Sequence, residues 1–376
     1  MDDLPLDLVL HIFSMLPIKS LFQLRCVSKL WHSIVDHHLC SATDRVPMLL
    51  LLVPHNKTMT FHLVQEKGRT LKASENSIST LSVGVKGCIL ESSCNGLLCI
   101  SYNKKQGFIL LNPLINDKQF LSLPMAPLNV PSPSHTMVSC GLGYDASANT
   151  YKIVRIVCQD LELNVYRTQV CVLGSSSWSW REIDEIPPYP VHGKPVFSHG
   201  ALYWLVSPYF MRDDDGNAEN LKVNMILCFD VVKEKFGLTP NPDFDCKDFA
   251  LFDLLDVNGN LGIVDLSSST DIDIWVLSIN ENTNEGWRRE YRIEFHAAIG
   301  RPDNGQVRVT GVCEDGEVLL KSDEGFFIYN PKSGLLRYVQ SLGLESDSAV
   351  LQCHRGSLIS VANFNRPPTP EFSFDL

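Results

Sequence analysis

Two amphipathic stripes lie within residues 1–35, and a turn-and-strand unit recurs about every fifty residues after Arg45 with no long helical run between copies. Together they predict a small all-α unit followed by an all-β domain. A unit of that length with room for four strands predicts a six-bladed β-propeller, its last blade closed by N- and C-terminal strands. An open sandwich or two smaller β domains are the alternatives the pattern leaves.

In the helical unit, Leu4, Leu8, Ile12 and Leu16 recur every four residues and so share one face. Asp2 and Asp3 precede them where N-caps belong, and Pro5 is tolerated in a first turn, where its missing N–H would be unpaired anyway. Pro17 biases Leu16 away from the helical region and ends this helix. Leu21, Leu24, Val27, Trp31 and Ile34 follow at intervals of three or four. About forty residues is too few to stand alone, so the unit is expected to complete its core against a partner.

The recurring β unit is a turn opening into a strand: Asn95-Gly96-Leu97, Asn149-Thr150-Tyr151, His199-Gly200-Ala201-Leu202, Asn258-Gly259-Asn260-Leu261, Asp315-Gly316-Glu317-Val318 and Arg355-Gly356-Ser357-Leu358. Five complete blades are expected at about 84–124, 138–186, 195–240, 248–296 and 307–341. The sixth copy stops near Val361 without its second half. Val46–Val53 and Met59–Val64 can supply the missing strands, which would remove the open edges. The expected domains are therefore 1–40 and 41–361, with a disordered, proline-rich tail at 362–376.

Composition narrows the function. A net charge of −11 over 376 residues argues against a nucleic-acid partner. The longest apolar run, Met48–Val53, falls far short of the ~20 residues a membrane span needs. No basic, apolar leader is visible, so a cytoplasmic or nuclear location is expected. The twelve cysteines include no C-x-x-C, and Cys94 and Cys99 have no nearby histidine, so no metal site is expected. Gly141-x-Gly143 lacks the third glycine and following helix of a dinucleotide loop. Asp213-Asp214-Asp215-Gly216-Asn217 and Asp256 to Asn260 lack the alternation and glycine placement of a calcium loop and read as turns. No catalytic motif occurs, so neither catalytic residues nor a cofactor are expected.

The helical stretch resembles the F-box of plant proteins on Leu4-Pro5, Leu16-Pro17, Lys19-Ser20-Leu21 and Cys26-Val27-Ser28-Lys29-x-Trp31. The resemblance implies docking to a Skp-type adaptor and, through it, a cullin. It assigns that contact to Leu4, Pro5, Leu8, Ile12, Phe13, Leu16, Pro17, Leu21, Leu24, Val27 and Trp31. The β region resembles the F-box-associated domain, kelch-like in outline but without Gly-Gly doublets. The resemblance rests on Asn112-Pro113, Gly141-Leu142-Gly143-Tyr144-Asp145, Tyr151-Lys152-Ile153-Val154, Ser179-Trp180-Arg181, His199 to Trp204 and Phe229 to Phe236. It implies a non-catalytic receptor that holds a protein substrate for ubiquitination; the alternative is a non-degradative protein- or glycan-binding module. Long loops at 123–136, 187–195 and 208–220 interrupt the pattern. They nominate Tyr189, His192, Tyr209, Phe210 and Arg212 for substrate contact, because aromatic and arginine side chains dominate binding hot spots.

Overall fold

The structure is a computed structural model. It describes residues 5–16, 20–21, 24, 27–35, 47–55, 58–67, 70–74, 77–82, 87–102, 105–114, 121–122, 137–160, 165–173, 179–206, 226–242, 252–268, 270–280, 283–294, 307–340, 349–357, 359, 361 and 364.

Among the described residues, two helices come first, α1 (Leu6–Ser14) and α2 (Lys29–Ile34). Pro5 is the N-cap of α1 rather than part of its first turn; its extended ψ of 141° leaves its carbonyl to accept the N–H groups of Leu8 and Val9. Phe13, Leu21, Ile34 and Val35 form the buried centre of this unit, with Val9, Leu10, Leu16, Leu24 and Trp31 packed around it. The Phe13 and Trp31 rings meet edge to face at 5.2 Å, the arrangement their quadrupoles favour.

Among the described residues, twenty-five strands follow. The N-terminal set is β1 (Pro47–Pro54), β2 (Thr58–Lys67), β3 (Thr70–Ala73) and β4 (Ser79–Ser82). Next is the antiparallel sheet β5 (Ile89–Cys94), β6 (Leu97–Tyr102), β7 (Gly107–Leu111) and β8 (Leu121–Ser122). The second sheet is β9 (Met137–Asp145), β10 (Thr150–Asp160), β11 (Val165–Val172) and β12 (Trp180–Ile183). The third is β13 (Val191–Ser198), β14 (Ala201–Val206), β15 (Ile226–Asp230) and β16 (Lys235–Thr239). Two further sets are antiparallel in chain order: β17 (Phe252–Val257), β18 (Asn260–Asp265), β19 (Asp271–Asn280) and β20 (Thr283–Glu294), then β21 (Arg308–Val312), β22 (Val318–Ser322), β23 (Gly325–Asn330) and β24 (Leu335–Gln340). β25 (Val350–Arg355) is the last strand.

β25 pairs with β1 in antiparallel register, Pro47 opposite Arg355 and Leu52 opposite Val350. β1 continues the ladder to β2, which pairs with both β3 and β4. The C-terminal part therefore contributes one strand to this set and the N-terminal part the others. The expected split, in which the copy ending near Val361 supplies the first half and Val46–Val64 the second, is corrected here. Thr70–Ala73 and Ser79–Ser82 are too short and polar to read as strands, and the chain leaves the ladder after Arg355. Ser357, Ile359 and Val361 turn toward the first sheet instead. The Asn112 amide donates to the carbonyls of Ser357 and Ile359 at 2.8 and 3.0 Å, and Val361 is buried among Cys94, Phe108 and Tyr151. Phe364, placed by the sequence reading in a disordered tail, stacks edge-on against Tyr151 at 5.8 Å.

Three of the tight turns share one geometry. Asn95-Gly96, His199-Gly200 and Asn258-Gly259 hold positive φ at both central residues, the geometry that joins twisted antiparallel strands in two residues. Six apolar clusters each draw on two consecutive sets. The last joins Leu50, Leu52 and Phe61 of the N-terminal set to Leu98, Ile100 and Ile109 of the first sheet. Because both faces of each sheet are covered, strands such as β6 and β7 are buried along most of their length, and their sequences are continuous apolar runs rather than alternations.

Candidate functional site

Two regions of the chain present surfaces suited to partners. The first is the outside of the helical pair. Leu8 and Ile12 of α1 and Val27 before α2 are exposed, with Leu6, Met15 and Leu30 beside them. Leu8, Ile12 and Met15 follow the helical spacing and make one outward stripe, while Val9, Phe13 and Leu16 make the inward one. The nominated adaptor residues thus divide. Phe13 and Leu21 are 3% and 1% exposed, so their place is the interior of the unit, whereas Leu8 at 50% and Val27 at 62% face outward. Leu16, Leu24 and Trp31 lie half-buried around the core, Pro5 is exposed, and Leu4 and Pro17 lie outside the described residues.

The second surface is a central cavity of about 2000 Å³, lined by the first strand of successive sets. β5, β13, β17, β21 and β25 all contribute. Its two mouths differ. At one end lie the tight turns: the position a Cβ would take on Gly96 is 2.6 Å from Ser357, and that on Gly259 is 3.4 Å from the Arg355 guanidinium. Asp256 is there too, its carboxylate accepting the Gly259 N–H at 2.6 Å. Burial raises the Asp256 pKa, against the pull of that hydrogen bond and of Arg355 and His199. At the other end, where the first strands begin, the lining carries His192, Lys194, Asp253, Arg308 and Lys321.

Of the nominated substrate residues, His192 is exposed at this second mouth. Tyr189 instead packs against the buried Val206 and Leu227. Tyr209, Phe210 and Arg212 lie outside the described residues, as does the Asp213–Asn217 stretch. Sequence reading missed Lys194, Arg308 and Lys321. A strand inside the predicted pattern gives no sign that it borders a cavity rather than an outer edge.

Many residues behind the family resemblance bind one set of strands to another. Lys152 Nζ reaches Asp145 and Glu234 at 2.9 Å each and donates to the Val231 carbonyl at 2.8 Å; Arg181 also pairs with Glu234. The hydrogen bonds from Lys152 and Ser147 hold the Asp145 carboxyl well below the usual carboxylate range. Gly141 and Gly143 are small because a Cβ on either would come within 2.6 Å of Pro195 or Val231. Among the described residues, no three His, Cys, Asp or Glu side chains gather as metal ligands, and no helix is long and apolar enough to cross a membrane.

Residues 47–364 match the F-box associated beta propeller domain, and residues 1–40 match the F-box domain. The chain belongs to the F-box associated beta propeller family. Similar family relatives include the F-box protein At3g07870 of Arabidopsis thaliana, 25% identical over 92% of this chain and 89% of its own length. The F-box protein At1g53790 of the same plant is 25% identical over 91% of this chain and 77% of its own length. Among solved structures, apo AztD from Citrobacter koseri aligns with 79% of this family member and 72% of its own chain at 11% identity and a TM-score of 0.35. An uncharacterized protein from Listeria monocytogenes EGD-e covers 79% and 80% at 10% identity and a TM-score of 0.36. Likeness that slight carries no weight for fold or function.

Proposed function

We propose that this chain is the substrate-recognition subunit of a Skp-cullin-F-box ubiquitin ligase. Its helices dock to the Skp-type adaptor and its β domain holds a protein for ubiquitination. The subunit works by proximity, raising the local concentration of substrate lysines at the ligase, and the transfer chemistry belongs to other subunits. The observation that carries the reading is the F-box match over residues 1–40 together with the outward apolar stripe of Leu8 and Ile12 and the exposed Val27. A unit this small leaves such a surface open only at a cost in solubility, and a partner helix fits it.

The strand sets are best read as six blades, the last made from β25 and the N-terminal strands. The six apolar clusters support that ring, because they run from set to set and return to the first. In this arrangement β1 starts opposite Arg355, at the tight-turn mouth. The chain from the F-box then enters the β domain at that end, and the substrate is met at the other.

Alanine at Leu8, Ile12 and Val27 together tests the docking. Losing three apolar anchors at an interface is expected to weaken adaptor capture by about a hundredfold or more, with the melting temperature of the β domain unchanged. Undiminished capture by a folded triple variant would sink the docking role. Phe13 and Leu21 are unsuitable for this test, because their loss would collapse the helical pair itself.

A further inference from the structure

The wall that β13 lends to the cavity is irregular at one point. The register between β13 and β14 shifts between His192 and Val196, so Gly193, Lys194 and Pro195 bulge out of the ladder. Gly193 stands at φ +74°, where other residues are strained, and Pro195 has no N–H to give a neighbour. The bulge is held from behind. The Ser139 hydroxyl donates to the Gly193 carbonyl at 3.1 Å, and the fully buried Trp204 donates its indole N–H to Ser139 Oγ at 2.9 Å. Gly141 leaves the space that Pro195 fills. Bulges braced in this way commonly re-aim a side chain. The side chain delivered to the cavity here is Lys194.

Lys194 makes no hydrogen bond or ion pair among the described residues. Arg308, Lys321 and His192 line the same cavity. The carboxylates facing them are Glu91 and Asp253. Glu91 is already bound by Lys105 at 2.9 Å and by the Ser101 hydroxyl, and Asp253 feels Arg308 and His192. Among the described residues, Lys194, Arg308 and Lys321 line this mouth against Glu91 and Asp253, in a chain whose net charge is −11. Lys321 Nζ also donates to the Ala349 carbonyl at 3.0 Å, and Glu91 is already neutralised by Lys105 from outside the lining. The surrounding protein walls are the main cause of a lowered Lys194 pKa; Lys105 and Lys321 add to it and Glu91 opposes it. Gln352, on the wall formed by β25, keeps its amide nitrogen buried without a partner. Surplus positive charge along a cavity wall calls for an anion.

We propose that the bulge at Gly193–Pro195 presents Lys194, with Arg308 and Lys321, to an anionic side chain of the protein substrate, a phosphate or a carboxylate entering the mouth of the cavity. The receptor reading enters only as the source of that side chain; the anion site stands on its own geometry.

The test uses the full chain immobilised with its adaptor and three degenerate peptide pools, each with phosphoserine, glutamate or serine fixed at the centre and all else random. Retained peptides are quantified by mass spectrometry. The phosphoserine pool, the glutamate pool or both are expected to be enriched by about tenfold or more over the serine pool, and which one is enriched identifies the anion. K194A combined with R308A is expected to remove the enrichment, and Lys194→Arg to keep it. Equal retention of all three pools, or enrichment untouched by the double change in a chain that melts like wild type, would overturn the site. Loss of adaptor capture with the enrichment intact would instead count against the ligase role alone.

Discussion

Lys152 shows what a single residue does in this molecule. It is nearly buried and joins two carboxylates from different sheets, Asp145 and Glu234, so it acts as a charged rivet between neighbouring sets of strands. The pKa values of both carboxyls are lowered, Asp145 chiefly by its hydrogen bond from Lys152, and Glu234 by Arg181 and Lys152 against a burial effect that opposes them. Carboxylates with depressed values contribute stability above their unfolded pKa, near 3.8 and 4.5, and that stability drains away as pH falls below those values. Melting of the wild-type chain is therefore expected to drop between pH 5 and about 3. Lys152→Met is expected to cost about 3 kcal/mol at neutral pH by leaving the Asp145 carboxylate buried without its cation while Glu234 keeps Arg181, and to flatten that drop. Thermal melts of both proteins across the range check this; parallel pH profiles would remove Lys152 from the account. Residue types at such positions were legible in the sequence, but their partners were not. Asn112 and the Ser357 carbonyl it holds are 245 residues apart, and no periodicity in one chain reports a contact at that distance.

At the scale of elements, turn chemistry and apolar runs located the five complete strand sets within a few residues, because both signals are local. The N-terminal set was harder. Only its two long apolar strands announce themselves, and its pairing with β25 depends on where the chain's ends meet. The segment after β25 is fastened mainly by the Asn112 amide and by Ile359, Val361 and Phe364 packed into the first cluster. Asn112→Ala leaves two carbonyls unpaired, one of them deep in the protein, and is expected to cost about 1–3 kcal/mol. Hydrogen exchange at Ile359 and Phe364 should quicken while β9 and β10 stay protected. Slow exchange at both sites in the variant would mean that apolar packing alone holds the segment.

For the whole molecule, the decisive feature is that β25 closes on strands some 300 residues upstream. A chain starting at Asn76 lacks β1, β2 and β3, and its sixth set is reduced to β4 and β25. It is expected to be molten or insoluble, whereas one starting at Thr43 should melt cooperatively near the full chain's temperature. Near-ultraviolet circular dichroism and melting separate the two, and equal stability would show that the sets hold together without that pairing. The binding surfaces were only half legible. The outward helical stripe has a period that sequence displays, while the cations of the cavity come from strands far apart in the chain.

The same pairing acts while the protein is still being made. The F-box leaves the ribosome first and is free to fold long before Val350 is translated. β1 to β4 must then wait, with an unmatched edge, until every strand up to β25 has been made. A message cut short would yield a product with an intact F-box and an unfinished β domain. Under the proposed role such a product occupies the ligase yet presents nothing to it, so truncated copies compete with the full chain instead of simply being lost.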